Sequence, residues 1–279
     1  MSEEFDLKRA VEQLLELDTF FADDLAVKGP DLDIIDNSAS QTVNNTTEIP
    51  IKTITPAETA KKELSSSSNT GRMNITGENM TKEQALEQVA QQIKSCTACQ
   101  ISGTRQNPVP GEGDPHAELV FVGEAPGADE DRTGRPFVGR AGQLLTKIIA
   151  AMGLEREQVY ICNTLKCRPP ENRDPLAGEK QACKHFLQTQ LSIIKPKVIV
   201  ALGSHAAREL LETDQAIGKL RGRFHDYKPT EDSEPIKLMP TYHPAYLLRN
   251  YSPDNRKRVW EDMQKVMNLL GLKSPSPRK

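Results

Sequence analysis

Three polar side chains and one aromatic ring stand where short apolar runs end. Glu124 follows Val120-Phe121-Val122-Gly123, Asn163 follows Val159-Tyr160-Ile161-Cys162, His243 comes shortly after Ile236-Lys237-Leu238-Met239-Pro240, and Phe137 lies in the loop after the first run. A carboxylate, a carboxamide, an imidazole and an aromatic face make a pocket suited to a planar, neutral, hydrogen-bonding ligand. Each residue alone has an ordinary explanation, Asn163 as a loop cap and His243 as a structural histidine. Their joint placement at successive run ends is what points to a site.

The runs must be strands of one sheet for these residues to meet. Strands are expected at Glu118–Val122, Val159–Cys162, Lys197–Leu202 and Ile236–Pro240, separated by helical patterns over Gly139–Met152, Ala177–Ile194 and Ser204–Leu211, with a last helix over Asp254–Leu270. Strands alternating with helices predict an α/β fold, a three-layer α/β/α arrangement around a central, mostly parallel four-stranded sheet. In such a sheet the carboxyl ends of the strands share one edge, where ligands bind. The turn Glu124-Ala125-Pro126-Gly127 therefore marks that edge. A nucleobase fits the pocket's chemistry. An Asn carboxamide donates to a carbonyl and accepts from an adjacent ring N–H, which matches O4 and N3–H of uracil and mismatches the amino group and bare N3 of cytosine. Asn163 is then the reader, and Phe137 the stacking surface, a contact worth roughly 1–3 kcal/mol per base.

Thr81-Lys82-Glu83-Gln84 has the spacing of a capping box, and Leu86, Val89, Ala90 and Ile93 form the stripe of a helix that delivers Cys96-Thr97-Ala98-Cys99. The chain has five cysteines, an odd count that argues against a disulfide framework and for metal ligation or burial. Cys96, Cys99, Cys167 and Cys183 suffice for a tetrahedral zinc or a 4Fe–4S cluster, and the spacing leaves both open. Cys162, inside a strand, is expected to be a buried thiol.

Residues 1–80 differ from the rest. They hold 7 Lys+Arg against 15 Asp+Glu, leaving 29 against 24 for the other 199 residues, a basic balance compatible with a nucleic-acid partner. Phe5, Val11, Leu14, Leu15, Leu17, Phe20, Phe21 and Leu25 give 1–28 the spacing of an amphipathic helix, suited to docking on a replication or repair protein. Residues 29–80 turn to Ser, Thr, Asn and Pro, the composition of a disordered linker. The folded domain is expected over 81–279. No segment has the roughly 20 apolar residues of a membrane span, and the first residues lack a secretory pattern, so a soluble, cytoplasmic, nucleoid-associated monomer is expected.

GEAPG followed by RPFVGRAGQLL, then CNTLKCRPPENRDP, then VIVALG and then PTYHPAYLLRN resemble, in order, the motifs of the family 4 uracil-DNA glycosylases, the iron–sulfur class of bacteria and archaea. The likeness spans about Gln84 to Leu270. It implies hydrolysis of the N-glycosidic bond of deoxyuridine in DNA, on a nucleotide rotated out of the duplex. His243 would stabilise charge on uracil O2, and Glu124 would orient water. Ala125, Pro126 and Gly127 would complete the substrate turn. The same likeness places Glu130 against C5 of the base, Leu247 as an apolar wedge in the duplex, and Arg140, Arg168 and Arg249 on phosphates. It also selects a structural 4Fe–4S cluster on the four cysteines over zinc. One departure is informative: the best-known uracil glycosylases carry a turn resembling GQDPYH, with a carboxylate where this chain has Ala125. The rival reading is a catalytically weak DNA-binding or replication accessory protein on the same fold.

Overall fold

A computed structural model describes residues 80–250 and 252–273. The helix expected within 1–28 and, apart from Met80, the linker expected over 29–80 lie outside the described residues. The strands are β1 (Glu112–Gly113), β2 (Leu119–Gly123), β3 (Tyr160–Asn163), β4 (Val198–Leu202), β5 (His225–Tyr227) and β6 (Ile236–Thr241). The helices are α1 (Lys82–Ser95), α2 (Ala128–Thr133), α3 (Arg140–Ala151), α4 (Ala177–Ile194), α5 (Ser204–Leu211), α6 (Ile217–Leu220), α7 (Pro244–Arg249) and α8 (Pro253–Leu270).

The sheet order is β1-β3-β2-β4-β6-β5. The four inner strands are parallel, and β1 and β5 add antiparallel edges. The expected four-stranded sheet is thus the parallel centre of a six-stranded one. The two edge strands span two and three residues, too short for a period of alternation to register in the sequence.

The inner strands are apolar throughout because both faces are covered. Val120, Val122, Cys162, Ile199, Ala201 and Leu238 join Leu86 of α1, Leu187 and Leu191 of α4 and Ala206, Ala207 and Leu210 of α5 in one buried cluster. Phe121, Ile161, Val200 and Met239 alternate to the opposite face, and α8 packs along β6. Pro240 is tolerated inside β6 for a specific reason. Lys237 N–H points to β4, so the even-numbered position 240 faces the β5 side, and β5 pairing ends at Leu238.

The capping box of α1 forms as expected: Gln84 N donates to Thr81 Oγ1 at 3.4 Å and Thr81 N donates to Gln84 Oε1 at 3.1 Å. Two stretches expected to be loops are single short helices of six residues, α2 and α7. Their length defeats hydrophobic periodicity. Local chemistry fixes them instead, a left-handed Gly134 (φ 71°) ending α2 and Pro244 opening α7. Among the described residues no helix is long and apolar enough to cross a membrane.

The end of β6 is locked by a buried ion pair. Arg221 donates to both carboxylate oxygens of Asp262 on α8, at 3.0 and 2.7 Å, and Thr241 Oγ1 donates to the same carboxylate at 2.7 Å. Removing one partner of a buried pair leaves the other uncompensated. Asp262→Ala is expected to lower stability by about 3 kcal/mol, read as a shift in the urea midpoint at unchanged slope.

Candidate active site

The register pairs Gly123 of β2 with Asn163 of β3, so both strand ends reach the same edge. Asn163 is 1 % exposed, and its Oδ1 has no hydrogen-bond partner among the described residues. Glycine is required beside it. A Cβ on Gly123 would lie 2.4 Å from Asn163 Oδ1 and 2.6 Å from the Phe137 ring. Carboxamide and ring therefore converge over bare backbone.

Phe137 sits at φ 51°, a left-handed conformation uncommon for a non-glycine residue. Two contacts hold it there. A Cβ on Gly142 of α3 would overlap the Phe137 carbonyl at 1.9 Å, so the helix approaches that peptide closely. Next, Val138 N and Gly139 N donate to Glu130 Oε1 at 2.9 and 3.0 Å, while Gly127 N donates to Glu130 Oε2 at 3.1 Å. The Glu130 carboxylate, expected to face C5 of a base, is thus engaged with the backbone of the two loops that flank the pocket.

His243 completes the wall, its ring 5.7 Å from Phe137 and inclined by 30°. Gly203, at φ 92°, makes room, since a Cβ there would come within 3.0 Å of His243 Cβ. Ala245 N donates to His243 Nδ1 at 3.0 Å, so the neutral ring carries its proton on Nε2. Burial above all, then the nearby Arg249 charge, depress its pKa to about 4 from 6.5, with Glu130 opposing. The ring is a neutral donor at physiological pH.

Glu124 follows β2 with its backbone clamped: its carbonyl accepts from Leu165 N at 2.9 Å and Thr164 Oγ1 at 2.8 Å. Its carboxylate is partnered. His205 Nδ1 and Glu124 Oε2 are 2.6 Å apart, and His205 Nε2 lies 4.0 Å from Asp174 Oδ1. His205 was not among the residues singled out in the sequence. The signal for it was position: it follows the end of the one inner strand, β4, to which no chemical group had been assigned. Pro126 is buried and Gly127 caps α2, while Ala125 packs with Ile101, Leu165, Cys99, Cys167 and Cys183.

That small cluster joins the pocket to the cysteines. Arg105 Nη1 donates to Cys167 Sγ at 3.0 Å and Nη2 to Cys96 O at 2.8 Å, and Lys166 N donates to Cys183 Sγ at 3.3 Å. Burial pushes the Cys167 thiol up and that of Cys183 to about 11, and each is raised further by neighbouring thiols, Cys167 by Cys99 and Cys96, Cys183 by Cys167 and Cys96. All four thus share one neighbourhood in which thiolates need a cation. Among the described residues, the set of metal-ligating groups with every ligand atom within 4.8 Å of the others is Glu124, Asp174 and His205. Cys162 is 1 % exposed inside β3, a buried thiol apart from the four.

Residues 110–264 match the uracil DNA glycosylase superfamily. A type-4 uracil-DNA glycosylase of Thermotoga maritima is 48% identical over 191 residues, 68% of this chain and 97% of that protein. This chain belongs to the type-4 uracil-DNA glycosylases. The namesake of Sulfurisphaera tokodaii is 47% identical over 190 residues, covering 66% and 84% of the two chains, and that of Archaeoglobus fulgidus is 43% identical over 197 residues, covering 69% and 97%.

One expected DNA contact needs correction. Leu247, expected as the wedge, is 3 % exposed; α7 turns it inward toward α3 and presents Leu248, 37 % exposed, outward. A helix of six residues leaves no periodic pattern from which its phase can be read in the sequence. Arg140 opens α3 and Arg249 ends α7, both exposed, while Arg168 Nε donates to Asn172 Oδ1 at 2.8 Å.

The depressed pKa of His243 gives a prediction. Nitrogen NMR of the labelled ring should report the Nε2–H tautomer from pH 8 to 5 and a midpoint near 4. Because the folded value lies below the unfolded one, His243 destabilises the fold progressively as pH falls through 6.5 toward 4. A midpoint near 6.5 would contradict the desolvated, neutral ring.

Proposed function

We propose that this chain hydrolyses the N-glycosidic bond of deoxyuridine in DNA, releasing uracil and leaving an abasic site. The observation that carries this reading is Asn163, a buried carboxamide whose Oδ1 lacks a protein partner at the edge where Phe137 and His243 also stand. A buried acceptor left unpaired costs about 1–3 kcal/mol. A site that retains one is built to receive a donor. Uracil N3–H is such a donor, and its O4 accepts the carboxamide N–H.

The uracil is extruded from the duplex and stacks on Phe137. As the C1′–N1 bond breaks, its electron pair passes into the uracil ring and onto O2, where the neutral His243 Nε2–H donates. Glu124 directs water at the oxocarbenium-like C1′; the oxygen bonds to C1′, and the released proton goes to the departing base or to solvent. Ala125 supplies no second carboxylate in the turn, so this work falls to Glu124. Glu130 guards the C5 side through the loops it fixes. The exposed Leu248 takes the wedge position expected of Leu247, with Arg140, Arg168 and Arg249 on phosphates.

The cysteines suit a 4Fe–4S cluster, whose sulfurs commonly accept N–H donors of the kind that Arg105 and Lys166 supply here to Cys167 and Cys183. Cys96, Cys99, Cys167 and Cys183 would hold it, cross-linking the end of α1 to the loop after β3 and to α4. Hydrolysis involves no net oxidation or reduction, so its contribution is structural. The same reading assigns catalysis to 81–279 and partner docking to 1–28, in a monomer working at the nucleoid.

Incubation with an oligonucleotide bearing a single uracil, followed by alkali, should cut the strand at that site. DNA that is bound yet left uncut would return the chain to the accessory reading. Asn163→Asp is expected to lower excision at least tenfold and to weaken discrimination against cytosine, since the carboxylate repels O4; survival of both rate and selectivity would remove Asn163 as the reader. The purified protein should be brown, with about four iron and four sulfide per chain. A colourless protein containing zinc alone would overturn the cluster.

A further inference from the structure

We propose that His205 is a positioning residue for the reaction, holding the Glu124 carboxylate in the orientation that directs water. This rests on the catalytic role given to Glu124 above. The two residues come from different strand ends, Glu124 from β2 and His205 from the first turn of α5, which follows β4. They meet because β2 and β4 are neighbours in register, Val122 beside Ala201. Gly203, at φ 92°, swings the chain over the sheet edge, with Gly203 N donating to Thr241 O at 2.9 Å. The base of α5 is therefore fixed to the same edge as the pocket.

The Glu124 backbone is clamped by Thr164 and Leu165, yet its side chain has three rotatable bonds and is partly open to water. Freedom of that kind spreads a carboxylate over several rotamers. His205 Nδ1, at 2.6 Å, removes it. A carboxylate accepts and cannot donate, so the proton lies on Nδ1, and the bond engages Oε2 while Oε1 is left for water. Glu209, one turn along α5, is held up in pKa first by burial and in part by the Glu124 charge, with Lys180 and Lys184 opposing. A like charge on that side favours swinging Glu124 away, and the imidazole bond counters it. Asp174, 4.0 Å from Nε2 and largely exposed, is a weaker second partner for the ring.

The arrangement has the form of a base or water-orienting group steadied by a third residue, with roles shifted by one: the carboxylate faces the reaction and the imidazole stands behind it. His205 touches neither the base nor the sugar in this scheme. Its loss should therefore appear in the chemical step and leave binding of the flipped nucleotide intact.

The test is single-turnover excision from a uracil oligonucleotide, with DNA affinity measured alongside. His205→Ala should lower the rate constant about tenfold to a hundredfold, the worth of a hydrogen bond to a charged group, with affinity for the uracil strand within about twofold of the parent. His205→Asn keeps an N–H near the Nδ1 position and should recover most of the rate. In a Glu124→Gln background, followed over longer incubations, His205→Ala should cause no further loss. Equal loss in both backgrounds would mean a general structural defect and would overturn the proposal. So would an unchanged rate, a loss confined to affinity, or failure of Asn to rescue. Absence of uracil excision by the unaltered chain would overturn the functional reading itself, and this proposal with it.

Discussion

Lys166 is 1 % exposed, and the hydrogen bonds of its buried ammonium group fix the distance between two working parts of the molecule. Its Nζ donates to Asn163 O at 2.8 Å and to Gln190 Oε1 at 2.6 Å, and Gln190 Nε2 in turn donates to Pro110 O at 2.9 Å and Tyr160 Oη at 3.2 Å. A charge so deep is tolerated only when its donors are met. The network holds the end of β3, where the carboxamide stands, against α4. The same residue's backbone N–H is bonded to Cys183 Sγ, and Cys167 is the next residue along. Pocket and cysteine centre are thus two sides of one turn. Displacing the cysteine loop would drag the buried ammonium from its acceptors, and the strand end with it.

Glycine contacts set the walls of the pocket as much as side chains do. Gly123, Gly142 and Gly203 each lie where a Cβ would press on Asn163 and Phe137, on the Phe137 peptide, or on His243. Backbone approaching backbone leaves little room for the three functional groups to drift. This is why the motif around the first strand is glycine-rich on both sides of Phe137.

The sequence made the inner sheet legible because each inner strand is an apolar run ended by a residue of distinct chemistry, and parallel pairing brings such ends together. Asn163 and His243 reach one edge on that logic, while Phe137 is brought over it by α3 and the Glu130 amide bonds. The Glu124–His205 pair was not legible, since it joins strands adjacent in space with β3 and α4 between them in the chain. The bonds of Glu130 were hidden for another reason: an acidic residue in an acidic loop gives no sign that its oxygens accept from the Gly127, Val138 and Gly139 amides. Leu247 and Leu248 differ by one position, and only the phase of α7 tells inward from outward. In a helix of six residues with a proline start, that phase has no periodic record.

Phe137 is held in its left-handed conformation by α3 and by the Glu130 amide bonds before any nucleotide arrives. Ordering a free aromatic side chain and its loop at the moment of binding would cost conformational entropy. Here that cost is met during folding. On the stacking role proposed for Phe137, the platform would capture a base during a brief spontaneous excursion from the helix, without a closing motion to slow the capture. Mispaired uracil, which leaves the stack more readily than a well-paired base, would be gathered faster by the same rigid surface, so discrimination between sequence contexts would reside in the opening of the DNA.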